Sequence, residues 1–381
     1  MIEKISECER MARRRIRYIS PLNAGKVLAH RRYWTLPFLR IYLENCDEHI
    51  FHDPEDGYLL AQHAPELARR IDVAQTDSDY VDETAKRSWR VRALAVWGSS
   101  CRAYGELTQA EAAYRLAAEL AADGVDRESA GELRLRTAVL AFSRLDPNAG
   151  PLLEDAVQDF TVAGRQSRLA NALVVRGALR VREMDPLGLA DSARALELAD
   201  ATTARGQRTM IGALHNMAIA ATRGASSIES QEVAHRLLQA VKKRLANKPR
   251  SLTKMRVFWV EGLLLAKMGI TRLAEKRLLR VRDGLEILGD ALALTLASLD
   301  LAVILISDGS VEAARALADE TAERVEAMKG DRELLAVIER WSRARLLSAA
   351  FCFELQDQAF GAASRVTDLG SSGVLFSRRA R

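Results

Sequence analysis

The chain has little from which to build a disulfide-stapled, fibrous or β-rich protein. Its 381 residues include four cysteines, Cys8, Cys46, Cys101 and Cys352, with no CxxC pair among them. That spacing indicates neither a disulfide framework nor a zinc knuckle. Eight prolines and 22 glycines exclude collagen-like or linker-dominated architecture. Aromatics make up only 6%, while alanine and leucine abound, which favours helices over strands. A hydrophobic share of 48% excludes a disordered chain. The opening MIEKISECERMARRRIRY is charged throughout and lacks the apolar core of a signal peptide. The most apolar stretch, Ala291 to Ile306, is broken by Ser298 and Asp300 and falls short of the ~20 residues of a membrane span. The expectation is a cytoplasmic, reduced chain with no membrane partner.

What is present is helical periodicity. Apolar residues recur at three- and four-residue steps from about Trp34 to Phe360, and alternation of period two is nearly absent. Breaks fall at Asp53-Pro54, Asp146-Pro147, Asp185-Pro186, Gly224 to Ser227, Lys248-Pro249 and Asp308-Gly309. The segments between them have the length of ordinary helices. An all-α chain of paired antiparallel helices follows, with more than ~70% helix against a base rate near one third.

Internal repeats organise those helices. In WGSSCRAYGELTQAEAAYRLA, Gly98, Gly105, Ala110, Tyr114 and Ala117 follow one another at offsets of seven, five, four and three. The same offsets return as Gly262, Gly269, Ala274, Leu278 and Val281, and again as Ala302, Gly309, Ala314, Ala318 and Thr321. Partial copies are Ala156, Phe160, Ala163 and Ala234, Leu238, Val241. A small residue within the first helix permits close approach, and a glycine turns the chain between helices. The alanine of the second helix packs against the first, and the larger residue one turn later fills the space beyond.

This pattern resembles the tetratricopeptide repeat (TPR) superfamily over most of the chain, from about Asp53 to Phe360. The resemblance implies a right-handed α-solenoid of antiparallel helical hairpins, with a partner protein held on a concave inner surface. Ala234, Ala274 and Ala314 are 40 residues apart, so the repeats are longer than the family's usual ~34. The family's closing proline is also missing. The repeat style is similar to that of bacterial regulatory TPR proteins, which are often joined to or partnered with DNA-binding regulators. The expected organisation is a basic N-terminal arm or helix over 1–33, a TPR-like solenoid with capping helices over 34–360, and a tail over 361–381. WTLPFLRIYLENCDEHIF and DPEDGYLLAQHAPELARRI read as an N-terminal hairpin, and ELLAVIERWSRARLLSAAFCFELQ as a terminal helix.

Signatures of catalysis are missing. No GxxxxGK[ST] loop, GxGxxG, HExxH or GxSxG occurs, so no catalytic residue, metal or cofactor is assigned. Cys46, His49 and His52 share a helical face by their spacing of three. Their plain reading is a set of polar residues at a helix end. Trp97, Tyr104, Tyr114 and Trp259 read as core fillers. His215 and Asn216 lie on a first helix, where a satisfied structural pair is the plainer reading.

Charge carries more information. The net charge of +5 hides strong segregation. Residues 1–40 hold ten Lys/Arg against three Glu, including Arg13, Arg14, Arg15 and Arg17; residues 41–84 hold twelve Asp/Glu against two Arg. Residues 236–282 hold fourteen Lys/Arg against Glu261 and Glu275. Candidate binding residues in this block are Lys242, Lys243, Arg244, Arg250, Lys254, Arg256, Lys276, Arg277 and Arg280. A field of this sign draws anionic partners. Two readings stand: a surface for nucleic acid or an acidic protein segment, or a solvated face balanced by the 41–84 block of the same chain or of a second copy. Aromatics interleave with the block only at Phe258 and Trp259, which weighs against nucleic acid. The function expected is a non-enzymatic adaptor for a partner protein, with a nucleic-acid accessory role through the basic face as the alternative.

Overall fold

The structure, a computed structural model, describes residues 7–71, 83–144, 146–223, 228–246, 252–328, 332–344 and 347–366. Those residues form helices and turns, with no strand among them. They divide into two compact units, one ending at Arg165 and the other beginning at Gln166.

The N-terminal unit contains α1 (Glu7–Ile16), α2 (Lys26–Ala29), α3 (Leu36–His52), α4 (Pro54–Ala61), α5 (Ala64–Arg70), α6 (Glu83–Tyr104), α7 (Leu107–Ala122), α8 (Arg127–Ser143) and α9 (Ala149–Val162). The second unit contains α10 (Gln166–Arg182), α11 (Leu187–Leu198), α12 (Ala204–Arg223), α13 (Ile228–Leu245), α14 (Leu252–Lys267), α15 (Thr271–Ile287), α16 (Ala291–Ser307), α17 (Val311–Ala327), α18 (Arg332–Ser342) and α19 (Ala349–Val366). From α6 onward, helices within each unit pack as consecutive hairpins, α6 with α7 through α18 with α19. The fold class is an all-α solenoid of antiparallel hairpins.

Several boundaries differ from those expected. The segment 1–33 is not a separate arm over its described part: Ala12, Ile19, Val27 and Tyr33 are buried in the same core as Phe38, Tyr42 and Leu60. Apolar residues placed among the arginines do this, while Glu9 takes Arg40 at 2.6 Å and Trp34 Nε1 donates to the Val27 carbonyl at 3.1 Å. Asp53 caps α4 by accepting from the Asp56 amide at 3.1 Å, with Pro54 in the first turn. Pro65 then starts a further helix, so the second arm of that hairpin is split into α4 and α5. At the other end, the expected single terminal helix is the hairpin α18 and α19. Trp341 and Leu347 are buried on either side of a break that no glycine or proline announces. Residues 361–366 continue α19 rather than belonging to a tail, and 367–381 lie outside the described residues.

The repeat positions sit at helix crossings and turns. A Cβ on Gly98 would lie 2.6 Å from the Tyr114 ring, and one on Gly262 would lie 3.0 Å from Leu278. Ala110, Ala274, Ala302 and Ala314 are buried. Gly105, Gly269 and Gly309 take φ of +100°, +73° and +82°, in the left-handed region that favours glycine. There the chain closes each first helix with paired bonds. At Gly105 these are Glu106 N–H to Cys101 O at 2.8 Å and Gly105 N–H to Arg102 O at 3.3 Å. The same motif follows α10 with Met184 at φ +63°, a non-glycine in a conformation that costs about 1–2 kcal/mol.

Gly98→Ala sets two effects against each other. Helix propensity gains about 1 kcal/mol. Overpacking costs roughly 1–3 kcal/mol, and the Tyr114 ring is held in place by a 3.0 Å hydrogen bond to Ser99. Overpacking should win, lowering the melting temperature while circular dichroism stays helical. An unchanged or raised melting temperature would show that the crossing is looser than described.

Candidate functional site

The site is built on the α14–α15 hairpin. In α15, Ala274, Leu278, Val281 and Leu285 are buried, at steps of four, three and four. In α14, Val257, Trp259, Val260 and Leu264 are buried, and Trp259 Nε1 donates to Asp300 Oδ2 on α16 at 2.8 Å. The two helices close tightly at Gly262 and turn at Gly269. Near the start of α14 and the end of α15 they leave a groove of about 510 Å³. Met255, Phe258 and Ile287 give it an apolar floor; Lys254, Arg277 and Arg280 line its edge. Gly284 makes room there, since a Cβ would stand 2.1 Å from the Met255 sulfur.

Electrostatics sort the basic residues into three groups. Lys242 and Arg277 are tied to the buried carboxylate of Glu261. Lys242 Nζ donates to Glu261 Oε1 at 2.7 Å, and Arg277 Nε lies 3.0 Å from Oε2, an ion pair bent short of hydrogen-bond geometry. Both cations also flank the Phe258 ring, at 6.0 Å and 5.2 Å from its centroid. A second group, Lys243, Arg244, Lys276 and Arg280, is exposed. The third turns inward, contrary to a continuous basic face. Arg256 is part-buried beside His215; burial pushes its guanidinium down to about 10, against the opposing charge of Asp290. Arg282 is fully buried, donating to Ser298 Oγ at 2.7 Å and to Thr321 Oγ1 at 3.2 Å. Arg250 lies outside the described residues.

The structure thus brings Lys254, Arg277 and Arg280 together at one groove, and sequence reasoning missed its apolar half: Met255, Gly284 and Ile287. A glycine inside an otherwise strong helix was the available signal for Gly284. The one acid at the groove, Asp283, is taken by Arg324 at 3.0 Å. Of the 41–84 acids, Asp47 is paired with Arg136 at 2.8 Å and Glu66 with Arg70 at 2.8 Å. Arg136 also meets Glu132 at 2.6 Å. Burial opposes the Arg136 charge, but Asp47 and Glu132 outweigh it and hold the guanidinium above its ordinary value. In the second unit, Asp191 receives Arg176 at 2.6 Å and Arg180 at 2.8 Å.

Cys46 is buried in the N-terminal core, where burial and Asp47 push its thiol well up. His49 Nδ1 lies 3.8 Å from Asp56, and the His52 side chain is outside the described set. No metal-binding cluster occurs among the described residues. Asn216 Nδ2 donates to the Val174 carbonyl at 2.8 Å, joining α12 to α10. His215 is buried, and its Nε2 has no hydrogen-bond partner. Burial, reinforced by the Arg256 charge and opposed by a backbone hydrogen bond with Arg256, pushes the imidazole down to about 3.

Compared with known proteins, the chain matches no protein-family model and no curated protein. Among solved structures it is similar to the apo form of the quorum sensor NprR from B. thuringiensis. The TM-score is 0.50 at 12% identity, covering 91% of this chain and 95% of that one. At that identity the likeness speaks to fold alone, and together with the hairpins it defines a TPR-like helical repeat.

His215 generates a pH prediction. Between pH 6.5 and about 3 the unfolded chain binds a proton that the folded chain refuses. Stability from this group is therefore complete above pH 6.5 and is lost as pH falls toward 3, with a slope of up to about 1.4 kcal/mol per pH unit. Denaturant titrations of His215→Gln should show a flatter fall in stability than the parent between about pH 6 and pH 4. Parallel curves would place a charged histidine in the folded state.

Proposed function

We propose that this chain is a non-enzymatic adaptor of the TPR superfamily, bacterial in type and cytoplasmic, that plays a regulatory role by holding a partner protein. The observation that carries this reading is the α14–α15 groove, an apolar floor with a cationic edge presented by a stack of helical hairpins. Grooves of a few hundred cubic ångströms with few convergent charges suit recognition. Buried charges elsewhere are committed to structure: Asp47, Glu132 and Arg136 in one unit, Asp191 with Arg176 and Arg180 in the other. The similar NprR is a quorum sensor, in keeping with a regulatory reading. No helix among the described residues is long and apolar enough to cross a membrane.

A second reading, a nucleic-acid accessory factor, is favoured by the exposed Lys243, Arg244, Lys276 and Arg280. Phosphate contacts of that kind give salt-sensitive, sequence-independent affinity. The two separate in one experiment. The tagged full-length chain is used to capture partners from native lysate with and without nuclease, and the captured polypeptide is purified and added back. Capture that survives nuclease and is reconstituted with the pure polypeptide is the expected outcome. Capture abolished by nuclease would replace the adaptor with the nucleic-acid reading.

A further inference from the structure

We propose that the α14–α15 groove docks an acidic peptide segment of a partner protein, anchored by an apolar side chain seated between Met255, Phe258 and Ile287. This rests on the adaptor reading and adds the site and the chemistry of the partner. The groove draws on both helices of one hairpin.

The floor dictates the anchor. Ile287 is 67% exposed at the end of α15. Met255 is buried and packs directly against Gly284, where a Cβ would stand 2.1 Å from its sulfur, so the open space of the groove lies between this pair and Ile287. An aliphatic or aromatic side chain entering there removes apolar surface from water at about 25 cal/mol per Å².

The edge dictates the sign. Arg280 and Lys276 are exposed on α15, and Lys254 lies at the groove. Of the carboxylates close by, Glu261 is enclosed by Lys242 and Arg277, and Asp283 is held by Arg324. The complement is a segment rich in Asp and Glu, whose charges steer association. Single-stranded nucleic acid fits less well, because it needs open aromatic faces on which bases stack. The groove is lined by one aromatic ring, Phe258, which offers no succession of faces for neighbouring bases.

The test uses the full-length chain and a fluorescein-labelled nonapeptide, Asp-Glu-Asp-Leu-Asp-Glu-Phe-Asp-Glu, read by fluorescence anisotropy. Saturable binding should appear at about 50 mM salt and weaken at about 300 mM. The double variant Lys254→Glu, Arg280→Glu should lose about tenfold in affinity, and so should Ile287→Asp. Replacing the peptide's Leu and Phe by Ser should cost a similar factor. Lys243→Glu, on α13 and outside the groove, should change affinity by less than about twofold. Circular dichroism of each variant should match the parent. Four outcomes overturn the proposal: no saturable binding, equal binding of the Ser peptide, equal damage from Lys243→Glu, or tighter groove-dependent binding of an oligothymidylate. A purified partner that binds the chain but ignores the groove variants would remove this site and leave the adaptor reading standing.

Discussion

The closeness with which two helices can approach sets most of this structure. Where the crossing residue is small, the backbones meet: Gly177 and Gly188 face each other so closely that a Cβ on either would stand 3.2 Å or less from the other's carbonyl oxygen. Gly98 against Tyr114 and Gly262 against Leu278 repeat the device with a large residue filling the opposite side. The α14–α15 groove is a consequence. Its helices are drawn together at Gly262, and toward their other ends Gly284 gives way to the Met255 side chain, beside which the groove opens.

A second constraint is the cost of burying charge, which must be offset by a partner. It explains why the basic block is not one continuous face. Glu261 is a single buried acid among cations, and it binds Lys242 and Arg277 to the wall of the groove. Arg282 is consumed inside the repeat by hydroxyls and by Glu320 at 3.5 Å. What remains outward, including Lys276 and Arg280, is a smaller and more localised positive surface than the sequence count implies.

Much of the fold was legible because its determinants are local. Glycines at fixed offsets mark the turns, and the +100° at Gly105 is a conformation that the sequence alone anticipates. Alanines such as Ala274 mark crossings for the same reason. A run of arginines dominates the N-terminal segment and reads as a basic arm or helix; the helix is α1, and its packing is decided by Ala12, Val27 and Tyr33, which composition does not single out. The α18–α19 break has no glycine or proline; its one local sign is Ser348, which caps α19 by accepting from the Phe351 amide at 3.1 Å, and Trp341 and Leu347 are buried on either side. The site was half legible. Like charges cluster visibly in sequence, but which of them turn inward depends on helix rotation, and the apolar floor is assembled from two helices. Met255 and Ile287 are unremarkable until Gly284 brings them to one cavity.

The groove at Ile287, and not the exposed apolar residue Leu116, receives the partner. Ile287 replaced by the photo-crosslinker p-benzoylphenylalanine tests it within cells that produce the full chain. The matching control is Leu116, exposed on α7 in the other unit. An adduct from position 287 to a partner polypeptide, mapped to an acidic stretch, is expected, with none from position 116. Adducts from both positions, from neither, or from 287 onto another copy of this chain would contradict it.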